Sequence, residues 1–270
     1  MNTLICIQAR MSSTRLPGKV MLPLAGAPLL QRMIERVRAA KVAARIVVIT
    51  SSMNKDDRIE ELCRAIETDC FRGHPTDLLD RHYQAAKHYG ASVIAKIPSD
   101  CPLIDPSVIE KVFQHFDSTR FDYVSNLHPA TYPDGNDVEI VSFQALETAW
   151  QEADRSFERE HTTPFLWERP ERFRIGNVAW ETGMNYSMSH RWTIDYPNDY
   201  EFIREIYDHF WRKERPIFSS REILNLIEKY PEIATINAGY AGVNWYRDHL
   251  NDLRTVTSEQ TRPLQPEFIT

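Results

Sequence analysis

The sequence predicts an α/β fold: a mainly parallel Rossmann-like sheet flanked by helices, with a small inserted substrate subdomain. Three observations carry this. From Leu4 to Phe116, short apolar or β-branched runs alternate with segments whose apolar residues recur at helical spacing. The first run, Leu4-Ile5-Cys6-Ile7, is long enough for one buried strand and stops abruptly at a polar loop. The chain has 270 residues with 42% hydrophobic and 26% charged content, which suits one large domain or a domain with an appendage.

In chain order, Pro28 opens a helix with Leu29, Leu30, Met33, Ile34 and Val37 on one stripe, and Arg32, Arg36, Arg38 and Lys41 on a face expected to be solvated. Arg45 to Thr50 reads as a buried strand, and Asn54 as the cap of a helix carrying Ile59, Leu62, Cys63 and Ile66. Cys70 to Pro75 reads as a turn and Thr76 as the cap of a helix to about Tyr89. Ser92 to Ile97 is the next strand, and Asp105-Pro106 the cap and first residue of the next helix. Beyond Ser125 the rhythm changes. Asn126 to Asn136 is loop-like, Val138 to Val141 a strand, and Ser142 a helix cap; Phe173 to Trp180 and Met188 to Ile194 read as strands. Helices follow from Asn198 to about Trp211 and from Ser220 to Lys229, and the polar stretch Thr255 to Thr270 reads as extended or disordered. The expected division is 1–215 as a main domain with an insertion at about 126–190, and 216–270 as a helical appendage with a polar tail.

The net charge of −6 offers no global basic field, so neither a nucleic-acid nor a membrane partner is expected. No apolar run is long enough to cross a bilayer and no leader pattern opens the chain, so a cytoplasmic protein is expected. The four cysteines are scattered without Cys-x-x-Cys spacing, which argues for reduced thiols rather than zinc or disulfides.

Ligands of open α/β sheets gather at the carboxyl ends of strands. The loop after the first strand carries Arg10, Arg15 and Lys19, fixed cations suited to a polyanion, most simply a nucleoside triphosphate. It is not a Walker loop: Gly18-Lys19 has neither a following Ser or Thr nor a partner glycine, and no Gly-x-Gly-x-x-Gly occurs. Asp77 and Arg81 are spaced as an i, i+4 helix pair, Pro133-Asp134-Gly135 is equally readable as a turn, and Cys101 has no evident base beside it.

The stretch Ile7-Gln8-Ala9-Arg10-Met11-Ser12-Ser13-Thr14-Arg15-Leu16-Pro17-Gly18-Lys19 resembles the opening motif of the cytidylyltransferases that activate acidic sugars, the acylneuraminate and 3-deoxy-manno-octulosonate enzymes among them. The likeness is strongest to the spore coat polysaccharide biosynthesis protein F group. Further matches follow in order: Asp56-Asp57, Arg72-Gly73, Asp100 to Asp105, Asp122 to Asn126, Pro133 to Glu139, Arg159 to Pro164, and Arg191 to Asp195 with Asp199.

The resemblance implies a nucleotide-diphospho-sugar transferase fold and a magnesium-dependent attack of an acid or hydroxyl oxygen on the α-phosphate of CTP. It implies catalytic roles for Arg10, Lys19 and Asp100, and metal ligation by Asp100 and Asp195. Ala9, Arg10, Ser12, Arg15, Lys19, Arg72, Asp77, Arg81 and Asp100 fall at nucleotide-binding positions. Asn126, Asp134, Asp137, Glu139, Arg159, Glu160 and His161 are the candidates for the second substrate. A homodimer is implied by resemblance alone. The acceptor is open between an acidic sugar and a non-sugar acid such as a phosphonate. A glycosyltransferase is disfavoured because Cys101-Pro102, not a second aspartate motif, follows Asp100.

Overall fold

The structure, a computed structural model, describes residues 2–264. Strand β1 (Thr3–Gln8) is followed by a hairpin of two short strands, β2 (Pro23–Leu24) and β3 (Ala27–Pro28), and by helix α1 (Leu29–Ala39). Next come β4 (Arg45–Ser51), α2 (Asp57–Ala65), β5 (Asp69–Gly73), α3 (Leu78–His88), β6 (Val93–Pro98) and α4 (Pro106–His115). After β7 (Tyr123–Ser125) and β8 (Glu139–Ser142), helices α5 (Phe143–Glu152), α6 (Ser156–His161) and α7 (Pro164–Trp167) lead to β9 (Ile175–Asn177). The described residues close with α8 (Pro197–Phe210), α9 (Ser220–Lys229), α10 (Pro231–Thr235) and short 3-10 turns.

Seven strands form one sheet in the order β5-β4-β1-β6-β8-β7-β9, parallel from β5 to β6 and antiparallel on both sides of β8. Strand alternation divides the core. Leu4, Cys6, Val47 and Ile49 pack with Leu79, Tyr83 and Leu146 on one face, while Ile5, Ile7 and Val48 pack with Met33, Ile34, Val37 and Ile109 on the other. Each such fully buried aliphatic side chain contributes about 1.5–3 kcal/mol. A third cluster joins Leu29, Leu103 and Trp192 to α8 and α9 through Phe202, Ile206 and Ile223.

That cluster changes the reading of α1. Arg32 and Arg36 are buried, not solvated; only Arg38 and Lys41 are exposed. Arg36 donates to the main-chain carbonyls of Ile104 and Phe218 at 2.7 Å each, and Arg32 lies 4.2 Å above the Trp211 ring. A guanidinium fork can satisfy carbonyls where two chain segments cross, which helical spacing does not reveal.

Other local expectations shift for equally physical reasons. Cys70–Gly73 is not a turn but belongs to edge strand β5, paired with β4, whose partner hydrogen bonds replace the missing β-branched signal. Asn54 opens a 3-10 turn rather than α2, and Asp77, not Thr76, caps α3 by accepting from the Asp80 N–H at 2.8 Å. Asp105 and Ser142 cap α4 and α5 as expected. Only Ile175–Asn177 of the first expected late strand pairs, and Met188–Ile194 makes a single bridge, Asp134 to Arg191. Of the expected loose tail, Val256 and Thr261 are buried and Ser258–Gln260 form a 3-10 turn, while six of residues 255–264 are exposed; 265–270 lie outside the described residues. Among the described residues no helix is long and apolar enough to cross a membrane.

Candidate active site

Register places the site. Gln8 at the end of β1 lies opposite Pro98 at the end of β6, so the loops bearing Arg10 and Asp100 leave the sheet side by side. Strand β8 runs the other way, with Glu139 opposite Lys96, so its first residues, and Asp137 just before them, come to that same end.

The cationic loop is fastened from below. Asp56, fully buried, accepts from the Met11 N–H at 2.7 Å and from the Ser51 hydroxyl. Gly18, at φ 72°, closes the loop by donating its N–H to Met11 O at 2.9 Å, and Lys19 follows it.

The segment before α8 docks by its backbone, without a ladder. Ile194 N–H donates to Asp100 O at 2.9 Å, and Trp192 N–H to Asp134 O at 2.7 Å. The approach at Asp134 is so close that a Cβ on Gly135 would sit 2.6 Å from the carbonyl carbon of Trp192. Asp195 therefore reaches the site although no paired strand carries it there.

A cavity of about 750 Å³ opens where these elements meet. At one end Lys19 Nζ lies 3.1 Å from Asp100 and 3.0 Å from Asp195, and Arg15 lies 2.8 Å from Asp195. Burial works to raise the Asp195 carboxyl, but Lys19, Arg15 and Arg191 together hold it well below the usual carboxylate range. The buried Arg191 grips Asp199 at 2.9 Å, Asp195 at 3.2 Å and Asp134 at 3.3 Å. Asp199 also accepts from the Tyr196 N–H at 3.0 Å, which caps the start of α8.

Two carboxylates that can share one cation beside a cationic loop form a donor set suited to magnesium. Phosphate oxygens and water would supply its remaining ligands. Among the described residues no group of three or more His, Cys, Asp or Glu is gathered around one point, so the protein alone offers no closed metal cage.

Arg81 also lines the cavity, donating to the carbonyls of His74 and Pro75 at 2.6 to 3.0 Å; burial first, then the charge of Arg10, pulls its guanidinium down to about 10. Arg10 itself lies 4.0 Å from Glu160, both half-exposed.

Deeper in, Lys96 pairs with Glu139, which also accepts from the Tyr123 hydroxyl at 2.6 Å and from Thr163. Asn126 lines the wall while its amide holds the 136–138 backbone, donating to Asn136 O at 2.7 Å. His161 stacks on Trp245 with ring centroids 3.8 Å apart, and burial, then Lys96, lowers it to about 3. The ring is neutral at physiological pH and holds a proton only weakly.

Of the sequence candidates, Ala9, Arg10, Arg15, Lys19, Arg81, Asp100, Asn126, Asp134, Asp137, Glu139, Glu160, His161 and Asp195 line this cavity. Four do not line it. Ser12 falls between the lining residues Arg10 and Ser13 of its loop; Arg72 is engaged by Asp57 and Glu60 at 2.6 and 3.0 Å; Asp77 and Arg159 pair with each other at 2.7 Å. The i, i+4 spacing of Asp77 and Arg81 yields no ion pair, because Arg159 takes the carboxylate. Sequence reasoning passed over Lys96, a lone cation inside an apolar strand, and Gln8, whose Oε1 is buried without a partner among the described residues. It also passed over Trp245 and Tyr246.

Asp137 supplies a pH test. Burial raises its carboxyl to about 6, with Asp100 and Glu139 adding and Lys96 opposing. Asp134 in the same cavity is also raised by burial, against the pull of Arg191. A folded-state value above the unfolded one, about 3.9, gives stability that is complete below that value and lost as pH rises through about 6. Asp137→Asn is therefore expected to stabilise the free protein by about 3 kcal/mol at pH 8 and far less at pH 4. Melting curves across that range check it; parallel wild-type and variant profiles would refute it.

Comparison with known proteins gives the family. The family model described as Cytidylyltransferase matches residues 4–228. The spore coat polysaccharide biosynthesis protein SpsF of Bacillus subtilis is 33% identical over 245 residues, covering 86% of this chain and 96% of its own. The solved structure of a cytidylyltransferase from Leptospira borgpetersenii is 34% identical with a TM-score of 0.81, covering 87% of this chain and 97% of that one. A CMP:2-keto-3-deoxy-manno-octonic acid synthetase complexed with CTP shares the fold at a TM-score of 0.60 and 19% identity, covering 77% of this chain and 99% of its own.

Proposed function

The chain belongs to the cytidylyltransferase family, and from that premise we propose that it transfers CMP from CTP to an acidic sugar, releasing pyrophosphate, for a surface polysaccharide or glycan. The observation that carries this reading is the convergence of Asp100 and Asp195 on Lys19 at the mouth of a cavity large enough for two substrates.

The acceptor oxygen attacks the α-phosphorus of CTP, a new P–O bond forms, and the bond to the bridging oxygen of pyrophosphate breaks. Arg10, Arg15 and Lys19 hold the triphosphate and neutralise the charge that develops on the leaving group. Asp100 and Asp195 would hold magnesium, which when bound supplies Lewis-acid charge stabilisation at the α-phosphate. Lys19 and Arg15 turn from the carboxylates to the phosphates as the nucleotide arrives, so charge pairs are exchanged rather than created. Asp137, with its raised carboxyl, is suited to take the acceptor proton. Arg81 and Leu78 close the end of the cavity beside Arg10 and shape the nucleotide pocket.

The test is pyrophosphate release with magnesium, each of the four nucleoside triphosphates, and a panel of acidic sugars and phosphonates. Release with CTP and an acidic sugar is expected. No release from any mixture, together with turnover of a ready-made nucleotide sugar, would sink the reading.

A further inference from the structure

We propose that the segment 241–262, which lies beyond the stretch matched to the family model, is the wall that selects the acceptor, with Trp245 its contact residue. This deepens the transfer reading above and rests on it.

After α10 the chain returns to the cavity, and Gly242, Val243, Asn244, Trp245 and Tyr246 line it. The segment is held as a closed loop. Arg262 N–H donates to Gly242 O at 2.8 Å, and the Asn244 amide to Gln260 O at 2.8 Å. Glu168 accepts from the N–H groups of Arg254 at 2.5 Å and Thr255 at 2.9 Å. Arg191, which grips Asp195, donates to Val243 O at 2.8 Å, so the loop is tied to the same guanidinium as the carboxylate cluster. Satisfied backbone groups at several points give a fixed wall.

Its chemistry differs from that of the nucleotide end. Trp245 lies flat on the neutral His161 ring, with an interplanar angle of 13°, and Tyr246 packs edge-on to Trp167 at 6.2 Å. These rings stand in the same cavity as Asp137, Glu139 and Lys96. A triphosphate needs cations, and the lining residues of this segment, Gly242 to Tyr246 with Asp248, His249, Thr257, Glu259 and Gln260, include no Lys or Arg. A polyhydroxylated acid with an apolar ring face, deoxy carbon or acyl substituent fits both halves: its hydroxyls donate to carboxylates and its apolar part lies on the rings.

Steady-state kinetics of Trp245→Ala and Trp245→Phe test this, using the best acceptor from the panel and CTP varied separately. The expected result is an acceptor KM raised at least about 10-fold in the alanine variant, a CTP KM within about twofold of wild type, and recovery of most of the loss in the phenylalanine variant. An acceptor KM within twofold of wild type, an equal rise in both KM values, or no recovery with phenylalanine overturns the proposal. Absence of pyrophosphate release by the wild type with any acceptor counts against the transfer reading itself, and the wall falls with it; an active alanine variant with unchanged acceptor KM counts against the wall alone.

Discussion

Asp100→Asn is expected to lower kcat about 10³-fold, equivalent to about 4 kcal/mol of transition-state stabilisation, while the protein stays folded. The asparagine keeps the size of the side chain and can still accept from Lys19 Nζ, now 3.1 Å from the carboxylate. It loses the anionic oxygen that a divalent ion needs. The carboxylate is 31% exposed, so the lost ion pair costs about 1 kcal/mol or less in stability. Pyrophosphate release at saturating CTP, read beside a melting curve, separates the two effects. Wild-type turnover in a folded variant would place the metal site elsewhere.

Arg191→Met is expected to act on the fold instead. The guanidinium is 1% exposed and meets three carboxylates, of which Asp199 is fully buried. Burial disfavours its charge, yet Asp199 and Asp134 more than compensate and keep it firmly protonated. Methionine fills similar volume but leaves Asp199 facing only N–H donors from Asp195, Tyr196 and Asn237. Breaking a buried pair from one side costs about 3–5 kcal/mol. For a chain of this size that is a fall of about 10 °C in Tm. Asp195 keeps Lys19 and Arg15, so the loss is in folding before it is in charge placement. A Tm within about 2 °C of wild type would show that the network carries little of the fold's stability.

What was legible in the sequence was local. The apolar run of β1, the Asp105-Pro106 start of α4 and the Ser142 cap of α5 each announce themselves within a few residues. The cationic loop and Asp100 were legible because both sit directly after parallel strands. Less legible was whatever depends on distant partners. Arg159 and Asp77, 82 positions apart, look like site residues until they are seen to pair. Met188–Ile194 has the aromatic and β-branched content of a strand but spends it on docking: Trp192 and Ile194 are buried, and only one bridge forms. The wall at Trp245 and Tyr246 has no periodicity, because it is a 3-10 turn held by rings from elsewhere and by the Arg191 guanidinium, which donates to Val243 O just before it.

Gly135 turns this difficulty around. With the Trp192 carbonyl carbon 2.6 Å from where its Cβ would stand, and φ at 105°, the position is closed to every side chain on two independent counts. The Pro133-Asp134-Gly135 triplet, readable on its face as an ordinary turn, is therefore a fingerprint of contact between two stretches more than fifty positions apart. A relative with any bulkier residue at that point cannot bring its counterparts of Asp134 and Asp195 together by this route. One letter of sequence thus reports whether the far wall of the cavity can close in the same way.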